Sequence, residues 1–156
     1  MRVVVQRVAH ASVRALDVES TPKRSSARGL LLLAGFTASD DAAVIAWMAD
    51  KCLTLRIFPD DSGALNRSVV DCDGALLVVP NFTLYGDARK GRRPSFTRAA
   101  PPEQASRLFE RFVGDLKRGP VRVEAGWFQA HMHVELVNDG PVTLILEREA
   151  KPGAGT

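Results

Sequence analysis

A chain of 156 residues with 46% hydrophobic content suffices for one domain with a buried core, and with only 6% aromatic residues that core is aliphatic. A formal charge of +3 is too mild to identify a polyanionic ligand by itself. Cys52 and Cys72 are too few for a disulfide framework, and no run reaches the roughly 18 apolar residues of a membrane helix. A soluble cytoplasmic protein without a signal peptide is therefore expected.

Residues 2–15 read as a Val-rich strand in which Gln6 or Arg7 must share a face with apolar neighbours, because strand side chains alternate. Residues 16–28 read as a polar connection, mobile over 20–26. The run from Gly29 to Phe36 predicts a strand buried on both faces. Ser39, followed by Asp40 and Asp41, is expected to cap a helix reaching about Leu53, with Val44, Ile45, Met48 and Cys52 near helical spacing. A short strand over 55–58, a turn over 59–63 and a buried strand over 75–79 follow.

Pro101, Pro102 and Glu103 open a second helix whose apolar face is Leu108, Phe109, Phe112, Val113 and Leu116. Three strands close the chain, at about 121–125, 131–137 and 142–147, the last two joined by a turn over 138–143. No repeat or interdomain linker interrupts it. The expectation is a single α+β domain over 1–148 with a frayed tail over 149–156. Its largely antiparallel sheets form a partly barrel-like core with two main helices packed outside.

Generic catalytic signatures are absent: no phosphate-binding Gly-Lys loop, no Gly-x-Ser-x-Gly elbow and no His-Glu-x-x-His helix. His131 and His133 would share one strand face, but His10 is the only other histidine, so neither a metal site nor a cofactor is expected. Residues 89–98 place Arg89, Lys90, Arg92, Arg93 and Arg98 in a loop held irregular by Gly91 and Pro94. Such cations suit phosphates, and Phe96 could stack on an unpaired base; composition alone leaves an ordinary solvated loop equally open. Thr83, after the buried strand, reads as a nucleophile, a hydrogen-bonding group or simply a strand threonine. Gly140-Pro141 lies in what looks like an ordinary turn, though X-Pro is the common setting of a cis peptide.

Taken together and in order, these segments resemble the D-aminoacyl-tRNA deacylase family, first known as D-tyrosyl-tRNA deacylases, over nearly the whole chain. The resemblance is carried by residues 1–8, Leu55-Arg56-Ile57-Phe58, Asn66-Arg67-Ser68-Val69, Phe82-Thr83-Leu84-Tyr85-Gly86-Asp87, residues 89–96 and Val137-Asn138-Asp139-Gly140-Pro141-Val142-Thr143. It implies an enzyme that hydrolyses the ester of D-aminoacyl-tRNA, and leaves open whether glycyl-tRNA mischarged on tRNA(Ala) is cleared as well. The implied partners are the tRNA acceptor end and a second copy of the chain, with neither DNA nor membrane.

The resemblance further implies that Pro80, Asn81, Phe82 and Thr83 form the catalytic segment, with backbone N–H groups at the oxyanion and Thr83 positioning the ester. Gly140 and Pro141 would form a cis pair inserted into the partner's pocket, held by Arg7, its carbonyls reading the substrate's amino group and refusing L-amino acids. Phe128, Ala130 and Met132 would line or support the pocket, and Arg89, Lys90, Arg92 and Arg93 would meet tRNA. One departure stands out: the family's usual Ser-Gln-x-Thr is here Pro80-Asn81-Phe82-Thr83. A related branch that removes L-Ala from the wrong tRNA is similar at the proline, so altered specificity is one alternative. A catalytically inactive tRNA-binding module is the other.

Overall fold

The computed structural model describes residues 1–17 and 21–150. Its spine is β1 (Arg2–Ala15), flanked by β2 (Arg24–Ser26), β3 (Gly29–Gly35) and the long β8 (Met132–Glu147), all antiparallel to it. On the far side of β3 the sheet continues in parallel through β6 (Ala75–Pro80) and β7 (Arg122–Ala125). A separate hairpin pairs β4 (Phe58–Pro59) with β5 (Leu65–Arg67), and two helices, α1 (Ala42–Thr54) and α2 (Pro102–Lys117), complete the α+β domain.

Strand alternation divides the core in two. Leu30, Leu32, Leu76 and Val78 face the helices, joined by Val3 and Val5 and packed by Ile45, Met48, Phe112 and Leu116. Leu31, Leu77 and Val79 face the other way and are covered by Val8, Ala11 and Val13 from the second half of β1 itself. β1 serves both cores because its register against β8 shifts between Gln6 and Val8 and again between Val8 and His10. Such irregularities bend a strand and change which side chains point inward. The second halves of β1 and β8 thereby fold over the sheet, and β2 comes against β6 and β7, which gives the sheet its nearly barrel-like shape.

The structure revises four local expectations. The last two strands are one: β8 pairs with β1 on both sides of residues 138–143, so the segment read as a turn is an irregularity within a continuous strand. Asn138 spans it, accepting Val142 N–H through Oδ1 at 2.7 Å and donating from Nδ2 to Val142 O at 3.3 Å. The cap of α1 is Asp41 rather than Ser39: Asp41 Oδ1 accepts Val44 N–H at 2.8 Å, while Asp40 is occupied by the Met1 nitrogen and Thr37 N–H. Residues 24–26, expected in a mobile loop, form β2; residues 18–20 lie outside the described ones. Leu108 only partly joins the face of α2, and Ala105 is buried in its stead. Of the expected tail, Glu149 and Ala150 are described. Among the described residues, no helix is long and apolar enough to cross a membrane.

Candidate active site

Where β6 ends, Pro80 closes the parallel pairing and the chain tightens into a 3-10 turn over Phe82–Tyr85. Proline ends the ladder because it has no N–H to give. Asn81 N–H still donates to Ala34 O at 2.7 Å, which fixes the turn to the sheet. The Asn81 side chain caps the turn: its Oδ1 accepts Thr83 N–H at 3.2 Å and also the Thr83 hydroxyl. Among the described residues, the Phe82 N–H has no hydrogen-bond partner, and Phe82 is 58% exposed. The turn therefore offers one free backbone donor beside one hydroxyl, on an open surface.

The far end of the turn is clamped by residues to which sequence reasoning gave no such role. Arg2 donates to Leu84 O, pairs with Glu147 and lies 4.9 Å over the Tyr85 ring; Arg98 lies 5.7 Å over the same ring. Tyr85 is 6% exposed, and burial, reinforced by nearby Asp40, pushes its hydroxyl up to about 12. A lone tyrosine directly after the Phe-Thr-Leu motif was the available signal, and nothing in the sequence reported its depth.

Gly86 and Asp87 connect the turn to the basic loop. A Cβ at Gly86 would stand 2.9 Å from the Phe96 ring and 3.0 Å from Thr83 O, so only glycine admits this approach. Phe96 in turn meets Phe82 edge-on, with ring centroids 5.1 Å apart. Asp87 and Ser95 exchange two backbone hydrogen bonds of 2.7 and 2.9 Å and pinch the loop at its neck. The cations within are not equivalent. Arg89 is held by Asp87 through Nε at 2.9 Å, and that hydrogen bond keeps the Asp87 carboxyl well below the usual carboxylate range. Lys90, Arg92 and Arg93 are exposed and, among the described residues, carry no ion pair.

The expected pocket residues divide. Gly126 stands between Pro80 and Met132: a Cβ there would be 3.0 Å from Met132 Sδ and 3.5 Å from Pro80 Cδ. Met132 Sδ also receives Trp127 N–H at 3.4 Å. Phe128 packs against the helix-side core, 6.4 Å from the Phe109 ring. Ala130 is half-buried.

Gly140-Pro141 is cis, as the family resemblance implies, and exposed. Arg7, 9% exposed, reaches it from β1: Nε donates to Asp139 O at 2.8 Å, and a guanidinium nitrogen donates to Ile57 O at 2.7 Å. Within one chain this pair does not meet the Pro80–Thr83 turn. Pro80 is level with Val3 across β3, whereas Gly140-Pro141 lies beside Gln6 to Val8 and three strand spacings away. At about 4.8 Å per strand and 3.3 Å per residue, the separation is roughly 20 Å. His131 and His133 are exposed, ring centroids 6.0 Å apart, and among the described residues no three metal-binding side chains converge.

Residues 4–147 match the family described as D-Tyr-tRNA(Tyr) deacylase. The D-aminoacyl-tRNA deacylase of Chloroherpeton thalassium is 59% identical over 152 residues, covering 97% of this chain and 98% of that protein. That of Thermotoga petrophila is 52% identical over 147 residues, covering 94% and 97%. Among solved structures, one described as c-Myc DNA Unwinding Element Binding Protein superposes with a TM-score of 0.87 at 37% identity, covering 96% of this chain and all of that one (100%). A probable eukaryotic D-amino acid tRNA deacylase shares the fold, with a TM-score of 0.79 at 18% identity over 93% of this chain and 97% of that one.

Proposed function

The chain belongs to the D-Tyr-tRNA(Tyr) deacylase family, and from that premise we propose that it hydrolyses the ester joining a D-amino acid to the 3′ end of tRNA. It is a hydrolase acting on carboxylic esters. The observation that carries the reading is the juxtaposition at Pro80–Thr83: a free Phe82 N–H and the Thr83 hydroxyl stand beside an exposed aromatic pair and a basic loop. A developing oxyanion needs a pre-aimed donor. An unpaired terminal base needs an apolar ring face, and the phosphates before it need cations.

Chiral selection belongs to the backbone of Gly140-Pro141. One chain leaves that pair roughly 20 Å from the turn, so a second copy supplies it, and the working enzyme is a homodimer. Support comes from β8, which presents Val137, Leu144 and Ile145 at 47%, 37% and 66% exposure around the pair. Exposed apolar side chains grouped on one strand mark an interface. A filter that refuses L side chains has nothing to refuse in glycine, so glycyl-tRNA mischarged on tRNA(Ala) is also cleared. The substrate places the enzyme in the cytoplasm.

Multiple-turnover deacylation tests the reading. Substoichiometric enzyme is expected to release D-tyrosine from D-tyrosyl-tRNA at a rate unaffected by chelator. Binding with the ester left intact would instead identify an inactive tRNA-binding module, and loss of activity to chelator would identify a metal hydrolase.

A further inference from the structure

The second half of β1 carries a polar cluster on its outer face, away from the turn. Ala11 and Val13 point into the second core, so Ser12 and Arg14 point away from it. Their direct partners on β8 are Glu135 and His133. Lys23 immediately precedes β2, whose Arg24 pairs with Val13, and so comes level with Arg14. These five side chains line a trough of about 70 Å³, several times the space one water needs. Ser12, 6% exposed, is its floor, and the other four are exposed around it.

The charges in the trough do not cancel. Its one carboxylate, Glu135, is already engaged: Lys23 Nζ donates to it at 2.6 Å and the Ser12 hydroxyl at 3.2 Å. Arg14 and His133 stand opposite each other and, among the described residues, form no hydrogen bond or ion pair. A guanidinium fork and an imidazole, which keeps a donating N–H in either protonation state, match the oxygens of a phosphate. The location agrees. A Cβ on Gly126 would lie 3.0 Å from Met132 Sδ and 3.5 Å from Pro80 Cδ, so β8 enters beside the start of the Pro80–Thr83 turn. Glu135 follows Met132 by three residues, about 10 Å along the strand. The basic loop leaves from the other end of the same turn, after Tyr85.

We propose that this trough is a second phosphate site, which seats a backbone phosphate of the tRNA acceptor stem between Arg14 and His133. The inference rests on the deacylase reading above for the identity of the RNA. Lys23 keeps Glu135 from repelling the phosphate. The trough touches neither the ester nor the amino acid, so it acts on how the stem is held and not on how the bond is broken.

Steady-state kinetics on three substrates tests this: D-tyrosyl-tRNA, a D-tyrosyl acceptor-stem minihelix, and the D-tyrosyl ester of adenosine, which has no stem phosphates. Arg14→Ala with His133→Ala is expected to raise KM for tRNA and minihelix alike by about tenfold, with kcat held within about twofold. The adenosine ester should be cleaved as by the wild type. Arg14→Ala alone should flatten the dependence of log K for uncharged tRNA on log salt by about 0.7–0.9. Glu135→Gln, which frees Lys23 for the phosphate, should lower KM, an effect that a merely structural cluster would not produce. An unchanged KM and salt slope, an equal loss on the adenosine ester, or a loss on tRNA that spares the minihelix would each overturn the proposal. So would an Arg14→Ala effect that tracks a shift in the sedimentation of the protein rather than its affinity for RNA. Salt titration with uncharged tRNA needs no hydrolysis, so the two readings fail separately. A protein that cleaves no aminoacyl-tRNA, yet loses salt slope in Arg14→Ala, refutes the deacylase reading and keeps the trough. An active enzyme with an unchanged slope refutes the trough alone.

Discussion

Arg7→Met keeps the apolar stem of a buried side chain and removes its charge and both of its carbonyl contacts, at Asp139 and Ile57. The nearby Asp139 carboxylate contributes little: it is 3.7 Å away and half exposed, and such pairs are worth at most about 1 kcal/mol. Hydrogen bonds from a charged donor are worth about 1.5–3 kcal/mol each. Asp139 is exposed and its carbonyl can be rehydrated, whereas Ile57 O belongs to a residue 6% exposed and is left unpaired. A loss of about 3–4 kcal/mol is therefore expected, which for a chain of this size lowers Tm by roughly 10 °C. Amide exchange should quicken at Asp139 to Thr143. If this backbone reads chirality, L-tyrosyl-tRNA should become a substrate, with the D/L ratio falling at least about tenfold, whereas Asp139→Asn should leave both Tm and the ratio nearly unchanged. An Arg7→Met protein melting within about 2 °C of the wild type, with unchanged exchange and discrimination, would refute the reasoning.

Three further expectations follow from the site. Neutralising Lys90, Arg92 or Arg93 should flatten the dependence of log K for tRNA on log salt by about 0.7–0.9 per residue, and Arg89→Ala by less because Asp87 already engages it; a triple variant with an unchanged slope makes the loop merely solvated. Tyr85 is the single tyrosine, so an ultraviolet phenolate titration reads it alone and should show a midpoint near 12; because the unfolded hydroxyl ionises near 10, the fold should lose stability as pH rises from about 10 toward 12. A midpoint near 10 would place the ring in water. Burial pushes the Cys52 thiol up to about 12, so at pH 8 a thiol reagent should leave it unmodified until the protein is unfolded; rapid native modification of Cys52 contradicts that burial.

What was legible in the sequence was local. The apolar spacing of Phe109, Phe112, Val113 and Leu116 gave α2 its inner face, and the unbroken run from Gly29 gave a strand buried between two cores. What was not legible depended on distant partners. Ser39, Asp40 and Asp41 are all competent caps, and the choice fell to Asp41 because Asp40 is drawn to the Met1 nitrogen and Thr37. Residues 138–143 read as a turn because nothing nearby reveals that both flanking segments pair with β1. At the site, the family motifs pointed to Pro80–Thr83 and Gly140-Pro141. The clamp of Arg2 and Arg98 on Tyr85, and the two donors meeting on Asn81, needed the folded turn to bring them together.

The most direct test compares single-turnover hydrolysis of D- and L-tyrosine on the same tRNA, with the enzyme in excess. Backbone-read chirality predicts that the D-ester is cleaved at least about 100-fold faster, a difference of about 2.7 kcal/mol in the barrier. The preference should survive Asn81→Gln, since no pocket side chain decides it. Equal rates, or faster cleavage of the L-ester, would contradict the account and move the chain toward the L-alanine-removing branch that Pro80 resembles.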